Sequence, residues 1–190
     1  MWYLRLVLLL GLVAHKLVWE VLKGGRKAPR EKQQTPAKPL ARALKLVKVL
    51  VLAGLVVQTL FLDILPLAEN PASVRVAGVA VYCLGLTMAI VGRVQLGKNW
   101  VDLEDYQVLR GQALVTGGIF RYIRHPIYAG DFLLILGLEL ALNSWLVLGV
   151  IPLLFVILRQ ARAEEALLSR VFDDYEAYCK RSKRFIPFVV

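Results

Sequence analysis

Apolar residues in this chain gather into four or five long runs, separated by short polar connectors. The first, Trp2 to Leu22, is interrupted by Arg5, His15 and Lys16. The second, Ala43 to Leu65, carries Lys45 and Lys48 near its start and Gln58 and Asp63 later. Val74 to Val91 is the least interrupted. A bilayer core takes about 20 helical residues to cross, and these three runs reach that with their flanks. Lys16 lies close enough to its segment end to snorkel. Ile127 to Leu142 and Trp145 to Leu158 are shorter, with only Asn143 and Ser144 between them. At roughly 14 to 16 residues each they span about 21 to 24 Å as helix. They predict a tight hairpin that thins the membrane locally or stops short of crossing it. Beyond it, Ala166, Leu167, Val171, Tyr175 and Tyr178 recur at helical spacing. That pattern predicts an amphipathic cytosolic helix continuing from the last apolar run. The expected fold is all-α: one integral membrane bundle of about five transmembrane helices, the last two a short hairpin. A single domain covers 1–190, with three N-terminal membrane helices in 1–95 and a more polar half in 96–190.

Composition sharpens this picture. The chain is 58% hydrophobic over 190 residues yet carries a formal charge of +10, and its mean hydropathy is +0.60. Apolar runs joined by basic connectors reconcile the two. The lesser alternative, a soluble protein with one long buried helical pair, is disfavoured because too little polar surface exists to cover so many apolar helices. Lys23 to Lys48 holds nine Lys or Arg and one acid, Glu31, whereas Pro66 to Ser73 holds no base and one acid, Glu69. By the positive-inside rule the first connector is cytoplasmic and the second external, which puts the N-terminus outside. Gly97 to Pro126, both ends of the hairpin and the tail from Arg159 then lie on the cytoplasmic side. The loop GGRKAPREKQQTPAKP (24–39) reads as a topology determinant against anionic membrane lipid, with no nucleic-acid role. His15 and Lys16 break the core that a signal peptide would need. Cys83 and Cys179 are too far apart for a disulfide framework or a metal spacing, and Cys83 reads as a small core residue. From Leu96 to Gly118 the chain is mixed: Trp100 and Tyr106 suit a membrane interface, and Gly111, Gly117 and Gly118 argue against a continuous helix.

Two polar clusters then face the cytoplasm. One is Arg121, Tyr122, Arg124, His125 and Tyr128, within RYIRHPIYAG; the other is Arg159, Arg162, Glu164 and Glu165. The hairpin makes them neighbours in space and opens a mixed-sign pocket at the membrane surface. It suits one small charged ligand and one lipid-like ligand. Taken singly, the arginines also read as positive-inside anchors and the glutamates as solvated charges. Glu164 and Glu165 point about 100° apart, so they cannot face one ligand equally. His125 precedes Pro126 and is expected to be extended. Glu139, near the hairpin's distal turn, reads either as an intramembrane functional carboxylate or as an interfacial one.

The run LVTGGIFRYIRHPIYAG, followed by RAEEALLSRVFDDYEAY and a Pro-containing end, resembles the isoprenylcysteine carboxyl methyltransferases and their phospholipid-methyltransferase-like relatives. The earlier GKNW is similar too, so the resemblance covers about half the chain, and the short layout is similar to the small prokaryotic members. It implies an S-adenosylmethionine-dependent methyltransferase with no metal and a lipophilic substrate, its 96–190 half holding cofactor and chemistry. By resemblance, Gln112, Ala113, Leu114 and Val115 line the adenine end and Phe120 contacts the cofactor. His125, Pro126, Ile127 and Tyr128 form its main wall. Glu164, with Glu165 beside it, meets the cofactor's positive charge. A basic residue is expected four positions before Glu164. Gln160 stands there instead, so the substrate-facing role falls to Arg159 or Arg162, with Arg124 as the third arginine of the site. FDDY is one residue shorter than the family's pattern.

The chemistry asks little more. An ionised carboxylate acceptor attacks the sulfonium methyl without a base, so the enzyme chiefly aligns the reacting atoms. An Arg can hold that carboxylate. An amine acceptor must first lose a proton, to a group such as His125, Tyr128 or Glu165. The acceptor is therefore expected to be an isoprenylcysteine-type carboxylate or, alternatively, a phospholipid headgroup amine. More distant readings are a sterol or quinone reductase and a membrane scaffold that binds anionic lipid.

Overall fold

The computed structural model describes residues 2–24, 39–61, 66–100 and 113–186. Most of the basic connector, together with Tyr106, Gly111 and Gln112, lies outside the described residues. Among the described residues the elements are helical: α1 (Trp2–Gly24), α2 (Pro39–Phe61), α3 (Ala72–Leu96), α4 (Pro126–Ala141), α5 (Val150–Val171) and α6 (Tyr175–Arg181), with short 3-10 turns at Gly97–Asn99, Gly118–Arg121 and Trp145–Gly149. Two stretches are long and apolar enough to cross a membrane, Ala72–Asn99 and Trp145–Val171. Val49–Phe61 forms a shorter apolar helical stretch. Leu46, Val47, Val49, Leu50 and Val51 of α2 and Leu6, Val7, Leu10, Val13 and Leu17 of α1 are all exposed. Apolar surface on this scale marks an integral membrane protein.

The hairpin expectation needs one correction. α4 and α5 are joined by the short turn foreseen at Asn143 and Ser144, but α4 packs mainly along α3 and meets α5 at far fewer points. Glycines explain the difference. Gly78 and Gly85 on α3 and Gly130 and Gly137 on α4 lie on the facing sides of the two helices. A Cβ at Gly78 would strike the backbone of Leu140 and Ala141, one at Gly85 that of Leu133 and Leu134, and one at Gly137 that of Tyr82. The two backbones therefore touch, as small residues allow between helices in lipid. Gly92 continues the stripe and receives Pro126 and Ile127, the first residues of α4.

Around this pair the other elements are tied by polar contacts. The Tyr82 hydroxyl donates to the Leu8 carbonyl of α1 at 2.6 Å, and its ring fills the notch at Gly11. On α2, Gln58 donates to the Glu139 carboxylate at 2.8 Å. Glu139 is buried, so the carboxylate that the sequence left open between function and interface ties α2 to α4. Asn143 has φ 56°, a left-handed turn conformation that asparagine tolerates. Its side chain bonds both the N–H and the carbonyl of Ala68, which locks the α4–α5 turn to the connector before α3. Cys83, expected in the core, is exposed on α3; its neighbour Tyr82 takes the inward position, about 100° round the helix. The predicted tail helix is also broken. α5 ends at Val171, residues Phe172 to Asp174 turn, and α6 follows.

Substituting Gly85 or Gly137 by Leu is expected to force α3 and α4 apart and cost at least about 3 kcal/mol, the upper range for overpacking. Gly54→Leu, with nothing within 4 Å of the added atom, is the control. Thermal unfolding in detergent reads the difference, and equal melting of the three variants would refute the close-packed pair.

Candidate functional site

The segment before α4 is held from two sides. On the α3 side, Gln95 accepts the Ile119 N–H at 2.8 Å. Gly118 has φ +59°, and a Cβ there would collide with the Gln95 amide. Asn99, within GKNW, accepts the Ala113 N–H at 2.9 Å. On the other side lies the C-terminal tail. Arg124 N–H donates to the Lys183 carbonyl at 2.7 Å, His125 N–H to the Arg184 carbonyl at 3.1 Å, and Lys183 N–H to the Tyr122 carbonyl at 2.9 Å. This parallel bridge is invisible in the sequence, since two residues cannot signal a strand. The Tyr178 hydroxyl, buried below, donates to the Phe120 carbonyl at 2.7 Å. Burial pushes that phenol up to about 12.

His125 begins α4. Its ψ of 57° falls short of the extended value expected before proline, because its carbonyl already accepts the Ala129 N–H at 3.0 Å in the first helical turn. Pro126 and Ile127 are buried toward α3, whereas His125 and Tyr128 turn to α5. There they meet both glutamates. Tyr128 Oη donates to Glu164 Oε2 at 2.9 Å. His125 Nε2 lies 3.2 Å from Glu165 Oε1, and Nδ1 lies 3.8 Å from Glu164 Oε2. The His125 and Tyr128 rings stack at 5.4 Å between centroids, and the Phe185 ring lies tilted to the imidazole at 5.7 Å.

The two glutamates have separate duties. Glu165 accepts from Arg124 Nε at 2.9 Å and from Arg184 Nη2 at 2.6 Å, besides its contact with His125. Its side chain is only 13% exposed, whereas that of Glu164 is 41% exposed. Arg124 also donates to the Ser182 and Cys179 carbonyls, so it braces the tail. Donating to the Glu165 carboxylate holds the Arg184 guanidinium above its ordinary value. Arg184 was not anticipated: a basic residue in a basic tail carries no sign that it returns to a glutamate nineteen positions earlier.

Other anticipated residues are placed as follows. Phe120 is buried beneath the segment, while Leu114 and Val115 are half-buried and Ala113 exposed. Arg159 and Arg162 are exposed on α5, about 140° and 160° round the helix from Glu164. Gln160 is the residue that shares its face. Arg162 instead joins Glu165, Tyr175, Lys180 and Arg184 around an open groove of ≈ 580 Å³. Among the described residues the Tyr175 hydroxyl there is buried without a partner, and burial, then the nearby Glu165 charge, raises it. No group of acidic, His or Cys side chains able to hold a metal occurs among the described residues.

Residues 73–175 match the phospholipid methyltransferase family model. The chain is 35% identical over 106 residues to a nickel-cobalt-cadmium resistance protein, NccN, of Alcaligenes xylosoxydans xylosoxydans, covering 55% of this chain and 47% of that one. It is 32% identical over 114 residues to protein-S-isoprenylcysteine O-methyltransferase of Schizosaccharomyces pombe, covering 56% and 47%. The chain thus spans about half the length of these curated relatives. Among solved structures, a eukaryotic intramembrane Ras methyltransferase, isoprenylcysteine carboxyl methyltransferase, superposes with a TM-score of 0.64 at 19% identity, over 95% of this chain and 63% of that one. The folds are alike.

Removing Glu165 leaves Arg124, Arg184 and His125 facing one another. Glu165→Ala is expected to destabilise by roughly 3 kcal/mol, the scale for breaking a buried pair. Glu164→Ala should cost under about 1 kcal/mol. Melting curves in detergent compare them, and equal losses would show that Glu165 is not the structural hub.

Proposed function

The chain belongs to the phospholipid methyltransferase family, and from that premise we propose that it is an S-adenosylmethionine-dependent methyltransferase acting on a lipophilic acceptor. The observation that carries this reading is the pair of adjacent glutamates. Glu165 is neutralised by two guanidinium groups, while Glu164 stays half-open beside the stacked faces of Tyr128 and His125. An accessible carboxylate next to aromatic faces fits a sulfonium or an ammonium. Glu164, Tyr128 and His125 would hold that positive end, and Ala113, Leu114 and Val115, with Gln112, the adenine end. When bound, the cofactor supplies an electrophilic methyl group. The protein's part is to orient it, exclude water and bring the acceptor into line.

The acceptor we put first is an isoprenylcysteine-type carboxylate, which needs no base. Arg124 is committed to Glu165 and the tail. Arg159 and Arg162 stand about 140° and 160° round α5 from Glu164, so neither reaches a carboxylate aligned with a methyl held beside Glu164. The second acceptor class is a phospholipid headgroup amine. In this reading about five helices cross the bilayer, with the N-terminus outside and the site at the cytoplasmic face. The lipid tail of the acceptor approaches from the membrane.

Saturable binding of S-adenosylhomocysteine to the full chain in nanodiscs is expected, weakened at least tenfold in Glu164→Ala and in His125→Ala. Normal binding by both variants would overturn the site, and absence of binding by the wild type would overturn the function. Labelled methyl transferred to lipid extracts then separates the acceptors, since an ester is labile to mild base and an N-methyl group is not.

A further inference from the structure

Glu165 borders a second space besides the lip. The open groove of ≈ 580 Å³ between α5, α6 and the tail falls within the size range of small-molecule sites. Arg162, Glu165 and Ser169 share one face of α5 by their spacing, as Glu176 and Lys180 do on α6. Arg184 enters from the tail. Arg162 lies four positions beyond Leu158, the end of the apolar run, which is about 6 Å along the helix. The headgroup layer is of similar depth, roughly 5 to 7.5 Å on each side of the hydrocarbon core. The groove therefore opens where lipid phosphates lie.

Its donors are largely uncommitted. Three cations line the groove against two carboxylates, and one of these, Glu165, is already bonded by Arg124 and Arg184. Arg162 and Lys180 are exposed and make no hydrogen bond or ion pair among the described residues. Arg184 commits Nε and Nη2 to Glu165, which leaves Nη1. Among these cations Tyr175 is 3% exposed, and its hydroxyl is buried without a partner among the described residues. Burial and the Glu165 charge keep that phenol protonated, so it stands ready to donate. Basic residues at a membrane face are explained by topology alone. A buried, unbonded hydroxyl among them is not, because such a group is costly to leave unpaired.

We propose that this groove binds a phosphate group, carried by an anionic membrane lipid or free in solution. A phosphate monoester bears roughly −1.5 to −2 charges at pH 7 and three strong acceptor oxygens. Arg162, Lys180 and Arg184 Nη1 supply charge-assisted donors, and Tyr175 supplies the hydroxyl. A carboxylate, flat and with only two oxygens, presents fewer directions to donors that come from two helices and the tail. The occupant is bound, not methylated, so the proposal goes beyond the methyltransferase reading and does not depend on it. A phosphate held there ties α5, α6 and the tail together, and binding the folded chain alone it stabilises the fold.

The test measures binding to the full chain in an uncharged maltoside detergent at pH 7 by isothermal titration. Inorganic phosphate is one probe and short-chain phosphatidic acid the other. Saturable binding of at least one is expected, with a rise in melting temperature. Phosphatidic acid binding at least tenfold tighter assigns the site to a lipid headgroup, and comparable affinities assign it to free phosphate. Arg162→Gln and Lys180→Gln should each weaken binding at least tenfold. Arg159→Gln removes an equal charge from α5 outside the groove and should change it less than twofold. Tyr175→Phe should weaken binding at least threefold, while the chain without ligand melts at the same temperature or higher. Equal weakening in Arg159→Gln and Arg162→Gln would reduce the groove to the general attraction of a basic surface and overturn the proposal. So would unchanged affinity or a lower melting temperature in Tyr175→Phe, the latter showing the hydroxyl already bonded within the fold. Absence of saturable binding by both probes would overturn it too. Displacement of phosphate by S-adenosylhomocysteine would do the same, by making the groove part of the cofactor site.

Discussion

The backbone contact between α3 and α4 sets the position of everything polar in this protein. In lipid no hydrophobic force pushes two apolar helices together, so association depends on how closely they pack. Glycines on both facing surfaces remove the side chains that would keep the axes apart. Pro126 and Ile127 then seat against Gly92 at one end of the contact, and α4 can start in one place only. Its rotation is fixed as well. With Gly130 and Gly137 turned to α3, Tyr128 faces α5, Asp131 faces α1 and Glu139 faces α2. One helix thereby distributes polar side chains to each of its other neighbours.

The charges are organised by the same geometry. Adjacent residues on a helix diverge by about 100°, and α5 uses this to give Glu164 and Glu165 different environments. Glu165 turns inward and gathers guanidinium groups from the segment before α4 and from the tail. That gathering also fastens the tail's parallel bridge to residues 122–125. Glu164 turns to the open lip. The cost of partly burying Glu165 is offset by charged donors on its accepting atoms, and the result is a rigid frame around one accessible carboxylate. Arg124, which the sequence suggests as a substrate ligand, serves this frame.

Polar groups occur at successive depths along α4, and each has a distinct environment. Glu139 at the far end is enclosed and bonded by Gln58, which suits a fastening for α2. His15 and Asp131 lie nearer the lip and are partly open. Glu164 and Tyr128 stand at the lip.

The sequence by itself determined the helical membrane character, the approximate helix limits and the pairing of RYIRHPIYAG with the EE segment. These follow from run length, charge placement and local spacing, which are properties of contiguous residues. Gly78, Gly85, Gly130 and Gly137 were equally visible, but their meaning was not. A glycine states only that a side chain is missing, and which helix fills the gap depends on tertiary packing. The same holds for Arg184 returning to Glu165, for His15 meeting Asp131 across 116 residues, and for the exposed face of Cys83. An ionic or hydrogen-bonded pair of high sequence separation leaves no periodic trace in the chain. Only the fixed rotation of α4 against α3 decided which of the polar residues would meet.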